Sequence, residues 1–361
     1  MSYSIVRWKA YIWLPNYLIA PPQARLDGRP GHLIFVMVDH YEPGSGDAGF
    51  RLHEKWAKAF LPIASGQHDS YGNRFKYNWF YPYEQKNDRV LASLASLAYE
   101  GFGEIELHWH HPRANNETFE RMLESALPWF HQYGALISSA KDQAAQFAFI
   151  HGNWCLDNST PQCGVTRELD ILREHGCYAD LTFSTIGTDA QPSKVNAIYY
   201  ALDSDGSKSY DTGIDVEVGR KQSDALMIIE GPIKIDWNGH LNYGAVESYA
   251  LPTARSIDQW IDANVHVRGR PEWVFVKVYT HGCQSLDIVE DGHLDSMLSD
   301  LRSACDHRRV KVHYMTAREC YNVIKAAEDG QSGDPEEFRD YLLPKPRNLV
   351  IRPPAAIANG R

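Results

Sequence analysis

Several common chemistries have no signature in this chain. None of its six cysteines, at 155, 163, 177, 283, 305 and 320, forms a C-x-x-C pair, so a thiolate zinc cluster lacks its usual spacing. In a chain of this length the cysteines read as reduced thiols. No G-x-G-x-x-G or G-K-S/T follows an apolar strand, and the GSG at 44–46 is neither, which removes the usual nucleotide fingerprints. There is no G-x-S-x-G elbow and no H-E-x-x-H helix, so neither an α/β-hydrolase serine nor a metalloprotease helix is indicated. Basic charge is short as well. Lys and Arg number 36 against 46 Asp and Glu, for a net charge of −10, which argues against a broad nucleic-acid surface. Long apolar runs are also missing. The N-terminal MSYSIVRWKAYIWLPNYLIAPP is broken by Lys9, Pro15 and Asn16, short of the ~18 unbroken apolar residues of a spanning helix. The expectation is a cytoplasmic chain with no transmembrane segment, in which this aromatic stretch leaves peripheral membrane contact open.

What is present is an ordinary globular composition, 43% apolar and 23% charged over 361 residues, with 16 His, 10 Trp and 20 Tyr. One unit recurs: an apolar strand that ends in a polar or histidine-rich motif and is followed by a helical stretch. The strands are HLIFVMVDHYEPG from His32, RFKYNWFYPYE from Arg74, GEIELHWHHPR, QFAFIHGNWCLDNS, CYADLTFST at 177–185, EWVFVKVYTHGC and VKVHYMTA from Val310. Helical periodicity marks NDRVLASLASLAYE, TFERMLESALPWFHQYGALI, TRELDILREHG with Thr166 as cap, HLDSMLSDLRSACDHRR and TARECYNVIKAAEDG. Alternation of this kind predicts an α/β fold with a mostly parallel sheet buried on both faces. The expected architecture is a single distorted β/α barrel of seven to eight strands. It spans 32–326, with an N-terminal segment at 1–31 and a loosely held Pro-rich tail at 327–361. An insertion at about 186–250 carries a β-hairpin around Gly231-Pro232.

Barrels and doubly wound sheets both place functional side chains at the C-terminal ends of strands. Four strands here end in His or Asp motifs. His108, His110 and His111 follow EIEL. Alternation puts 108 and 110 on one side of an extended chain, while a turn after the strand brings His111 round instead. Either pair suits one metal ion at ~2.0–2.1 Å. VMVDHYEP supplies Asp39, a carboxylate base or ligand, together with His40 and Glu42. IHGNW supplies His151, Asn153 and Trp154 as pocket and substrate-binding residues, and Gly152 allows a close backbone approach. VYTHG supplies His281, suited to general acid or base work. Asp180 in YADLTFS either orients His281 or caps a turn.

These motifs resemble the polysaccharide deacetylase family, metal-dependent carbohydrate esterases on a distorted β/α barrel. MVDHYEP stands where that family has an Asp-Asp motif. EIELHWHHP is similar to its two-histidine motif, with His111 before Pro112. VFVKVYTHG corresponds to its late strand with a catalytic His. The likeness spans about 32–325, and it departs from the family at His40, which replaces the second Asp, and at HGNW, which replaces an Arg/Pro/Gly strand end. The resemblance implies a divalent metal ion, zinc before others, held by His40, His108 and His111 or His110. It further implies Asp39 as base, His281 as acid, and deacetylation of an N-acetylated sugar or polysaccharide. Two other functions fit the same residues: a non-catalytic carbohydrate-binding or scaffold protein, and a metal-dependent hydrolase of another bond.

Overall fold

The computed structural model describes residues 7–19, 31–138 and 145–347. Its strands are β1 (Gly31–His40), β2 (Tyr77–Pro82), β3 (Gly103–Trp109), β4 (Ala145–His151), β5 (Cys177–Asp180), β6 (Ile198–Ala201), β7 (Leu226–Ile229), β8 (Trp273–Thr280) and β9 (Val310–Tyr314). The seven segments expected as strands all lie among them. They join in the order β8-β1-β2-β3-β4-β5-β7-β6, ending on the short strand Ile214–Asp215, and β9 also pairs with β1. All of these pairings are parallel except those of β6. The fold is therefore mixed α/β, with a large, mostly parallel sheet. β1 is the hub: β8 runs along one edge from His32↔Trp273 to Asp39↔Thr280, while β9 and β2 share the other edge in turn.

Both faces of this sheet are dry, which explains the unbroken apolar strands. Leu33, Phe35 and Met37 pack on one face with Trp56, Phe60, Tyr77 and Trp79. Ile34, Val36 and Val38 pack on the other with Met315, Val323 and Ala327.

The helices are α1 (Ala10–Ile19), α2 (Gly46–Gly66), α3 (Asp88–Tyr99), α4 (Asn116–His131), α5 (Glu168–Glu174), α6 (Ala254–Ala263), α7 (Asp287–Glu290), α8 (His293–Arg308) and α9 (Ala317–Glu328). Most starts are written locally. Asn87 accepts from the amides of Arg89 and Val90, and reciprocal capping boxes join Asn115 to Thr118, Thr253 to Ser256 and Thr316 to Glu319. The expected Thr166 cap is not used. α5 starts after Arg167, and Asn116 Oδ1 accepts from the amides of Thr166 and Arg167 at 2.9 and 3.2 Å. The cap itself comes from outside the helix's own sequence: the Asp170 amide in the first turn donates to Asp203 Oδ2, in the loop after β6, at 2.9 Å.

Three further expectations change. Cys155 and Cys163 are not free thiols but a disulfide, because the loop after β4 folds back and brings their Cα atoms to 6.3 Å. Cys177, Cys283, Cys305 and Cys320 are free and buried. The chain either side of Gly231-Pro232 does not form a hairpin. β7 inserts between β5 and β6 in the main sheet, and the hairpin follows as Lys234–Ile235 against Leu241–Asn242. The C-terminal segment, as far as it is described, is docked rather than loose. Arg339 reaches Asp69, Glu319 and Glu336, and Asn322 receives the amides of Leu342 and Leu343. The tail beyond 347 lies outside the described residues, as does 20–30 of the N-terminal segment. α1 is held by Trp13, buried beside Ile186 and Ile233. Among the described residues no helix is long and apolar enough to cross a membrane.

Candidate metal centre at the strand ends

Parallel pairing puts the C-terminal ends of β8, β1, β2 and β3 on one rim, and the histidines meet there. The His40 ring lies 4.7 Å from that of His108 and 4.5 Å from that of His281, centroid to centroid. Trp154 stands 5.9 Å from His40 and 5.8 Å from His281. Its backbone is held in the left-handed region at φ +52°, a conformation that costs a non-glycine residue about 1–2 kcal/mol. Neighbouring structure must impose it.

Asp39 is fully buried. Its Oδ1 accepts from the Gly282 amide at 2.7 Å and its Oδ2 from the Tyr77 hydroxyl at 3.0 Å. Burial pushes its pKa up to about 8, against the pull of these two donors and of His281. Asp39 and Gly282 are 243 positions apart in sequence. The Asp39↔Thr280 register makes them neighbours.

The metal-ready donors are His40, Glu42 and His108, each offering one ligand atom within 4.8 Å of the others. The His108 Nδ1–H donates to the Ile150 carbonyl at 3.0 Å, and its Nε2 stands 2.9 Å from Glu42 Oε1. A carbonyl only accepts, so the bond to Ile150 fixes the proton on Nδ1. In the neutral ring the Nε2 lone pair then faces a carboxylate oxygen, two acceptors with nothing between them. Burial lowers the His108 pKa, which disfavours a second proton as the bridge. His40 is held neutral by burial and then by His281 and His108, and its Nδ1 is buried without a partner. Burial raises Glu42, but the charged form of His108, which would donate its Nε2–H to the carboxylate, outweighs it together with the charges of His110 and His281, and the pKa is lowered. Two neutral imidazoles and an ionised carboxylate fit a divalent ion of the zinc class.

His281 is oriented by a residue that the motifs did not single out. Its Nδ1 donates to Glu247 Oε1 at 2.7 Å, and Glu247 Oε2 accepts from Ser285 Oγ at 2.5 Å. Burial works against charging His281, yet the bond to Glu247 and its charge prevail and raise the pKa. Glu247 lies in the insertion, next to the segment Gly244–Val246 that bonds to Tyr279 of β8. Its sequence neighbours carry no motif.

The other expected site residues divide. His110 is near the cluster, 4.8 Å from His108 between centroids, but outside the donor group. It is paired to Glu84 and stands 3.3 Å from Glu42. Burial lowers its pKa, but these two acids prevail and raise it, which favours the charged form over one with a free lone pair. Gly152 is the close approach expected: a Cβ there would meet His110 Cγ at 2.5 Å. His111 does not join His108. The chain turns after Trp109, and the His111 ring lies 4.2 Å from that of His151, tilted by 53°, while its Nε2 stands 2.9 Å from Glu168 Oε1. His151 therefore lines this second, buried cluster. The Asn153 amide donates to His151 Nδ1 at 3.1 Å. Asp180 caps a turn: both its oxygens are taken by Thr182, through the amide at 3.0 Å and the hydroxyl at 2.8 Å.

Compared with known proteins, the chain matches no family model and no curated sequence.

Proposed function

We propose that the chain is a metal-dependent hydrolase that removes acetyl groups from an N-acetylated sugar or polysaccharide. The observation that carries this is His108, whose Nε2 lone pair is fixed 2.9 Å from the Glu42 carboxylate beside the unpartnered Nδ1 of His40. His40, Glu42 and His108 would hold the ion, with zinc the best match to the donors. When bound, such an ion supplies Lewis acidity toward an acyl oxygen and acidifies water.

The chain's own residues then divide the proton work. Asp39 takes a proton from the attacking water in its ionised form, which the Gly282 amide, the Tyr77 hydroxyl and His281 favour against burial and which gains as pH rises toward about 8. His281, charged and held by Glu247, delivers one to the leaving amine, a role worth typically ~10²–10⁴ in rate. Trp154 and Tyr279 flank His40 and His281 and offer flat faces for a sugar ring. The products are acetate and a free amino sugar. We also read the sheet as a distorted barrel. Gly244 and Val246 bond to the outer edge of β8, and Lys277 of β8 donates to the Leu181 carbonyl just past β5 at 3.0 Å. The first contact covers the free edge of β8 with the insertion, and the second reaches from β8 to the chain beside β5.

The test pairs metal analysis with an acetate-release screen over N-acetylated glycans. Metal-loaded wild type should release acetate. His108→Ala should lose one ion per chain and the activity. Asp39→Asn should keep that ion and lose most turnover. Tight binding of an N-acetylated glycan with no acetate release by the metal-loaded protein would overturn the enzyme in favour of a binding module.

A further inference from the structure

Behind the rim lies a second donor cluster that the proposed chemistry does not use. His111 follows β3, His151 ends β4, Glu168 opens α5, and Cys155 and Cys163 sit in the loop between β4 and α5. All five are buried. His151 Nε2 is the centre. It stands 3.7 Å from Glu168 Oε1, 3.7 Å from Cys163 Sγ and 4.0 Å from Cys155 Sγ. His111 Nε2 stands 2.9 Å from the same Glu168 oxygen. Two ligands about 2.1 Å from a tetrahedral ion are roughly 3.4 Å apart, and these separations bracket that value.

The polar accounting points the same way. His111 Nε2 and Glu168 Oε1 are close but not aligned for a hydrogen bond, and neither has another hydrogen-bond partner, nor does His111 Nδ1. Among the described residues the ion-pair contacts of Glu168 are His111 and His151, with no lysine or arginine. A carboxylate buried without a cation costs several kcal/mol. The other oxygen of Glu168 is satisfied by the Asp157 amide at 2.7 Å, so the deficit is confined to the oxygen that faces the histidines.

We infer that His111, His151 and Glu168 form a buried structural metal site of the zinc class, completed by the thiolate of Cys163 when the Cys155–Cys163 pair is reduced. One carboxylate and one thiolate neutralise a divalent ion, and two imidazoles and one sulfur match its ligand preference. Ligation through Nε2 places the His151 proton on Nδ1, so the Asn153 amide turns away as the ion enters. The ion ties the ends of β3 and β4 to the start of α5, and thereby steadies the end of β3, which carries His108, and the turn after it, which carries His110. A phosphine reductant frees the sulfurs. It takes the oxygen of one water as phosphine oxide and leaves two thiols. The Cys163 thiol gives its proton to solvent on binding the ion.

The test uses the full chain carrying His40→Ala and His108→Ala, which removes the donors at the rim. Failure of the proposed reaction therefore leaves its outcome untouched. Purified with a phosphine and dialysed against Co²⁺, this variant should hold about one cobalt per chain, with a thiolate-to-cobalt band in the near ultraviolet. Adding Cys163→Ser should abolish the band. Adding His151→Ala should release the ion, and Glu168→Gln, a milder change, should weaken binding by at least tenfold. No bound cobalt in the rim variant, or binding unmoved by Glu168→Gln, would overturn the site. Bound cobalt without the sulfur band would overturn its ligand set.

Discussion

Gly282→Ala tests how the rim is built without reference to any substrate. An added Cβ would stand 2.4 Å from Asp39 Oδ2 and 3.0 Å from both Trp56 Nε1 and the Tyr77 hydroxyl oxygen. Ordinary contact begins about 1 Å further out, so the carboxylate, the backbone or both must move by roughly that much. Trp56 and Tyr77 are packed into the core and cannot yield cheaply. The carboxylate is held from two directions, by the Gly282 amide at 2.7 Å and the Tyr77 hydroxyl at 3.0 Å, and the shift breaks at least one of those bonds. With its pKa raised to about 8, the Asp39 carboxyl is mostly neutral at pH 7; a neutral hydrogen bond contributes about 0.5–1.5 kcal/mol, and overpacking adds about 1–3 kcal/mol. The expected loss is about 1.5–4.5 kcal/mol. Urea unfolding at neutral pH measures it as a lower midpoint at unchanged slope. Gly66→Ala is the control, because its Cβ would meet nothing within 4 Å; its stability should stay within ~1 kcal/mol of wild type. If Gly282→Ala also falls within ~0.5 kcal/mol of wild type, the close packing of Asp39 against the end of β8 is wrong.

Two further predictions concern stability. His53 is buried with its Nδ1 2.6 Å from the Tyr41 hydroxyl, and burial lowers its pKa from 6.5 to about 4. The unfolded chain therefore takes up this proton first as pH falls. The contribution is complete above pH 6.5 and is lost between 6.5 and 4, at up to ~1.4 kcal/mol per pH unit. Urea midpoints at pH 7 and 5 should converge in His53→Gln by about one proton's worth relative to wild type; an unchanged pH dependence would refute the assignment. Ending the chain after Gly333 removes the Asp340 carboxylate and the Arg339 and Leu343 carbonyls from buried Arg318, and leaves Asn322 without its described partners. That truncation should cost about 3 kcal/mol or more and lower the melting temperature by several degrees, whereas a loosely held tail would leave it unchanged.

The strands and most helices could be read in advance because their causes are local. LIFVMV, short and rich in β-branched residues, reads as a strand buried on both faces, and Asn115 with Thr118, or Thr316 with Glu319, writes a helix start within four residues. The gathering of His40, His108 and His281 at one rim was also legible, since parallel strands of known direction share their C-terminal ends; Asp39, one residue before His40, instead turns its carboxyl to the other face of β1, toward Tyr77 and Trp56. What the sequence could not decide is which way each side chain turns beyond its strand. His108, His110 and His111 are consecutive or nearly so, yet one faces Glu42, one bridges two acids and one joins His151 and Glu168. Strand alternation lapses once the chain leaves the ladder, and the loop after Trp109 then obeys whichever neighbours it packs against. Glu247 and Glu168 were invisible as site residues for the same reason. Each gains its meaning from a histidine brought to it by the sheet, and a lone glutamate in a loop or in the first turn of a helix carries no periodicity or spacing of its own. The disulfide and the docked C-terminal segment belong to that class as well. Cys155, Cys163 and Arg339 find partners across space, and only the tertiary structure supplies the distances that decide such pairings.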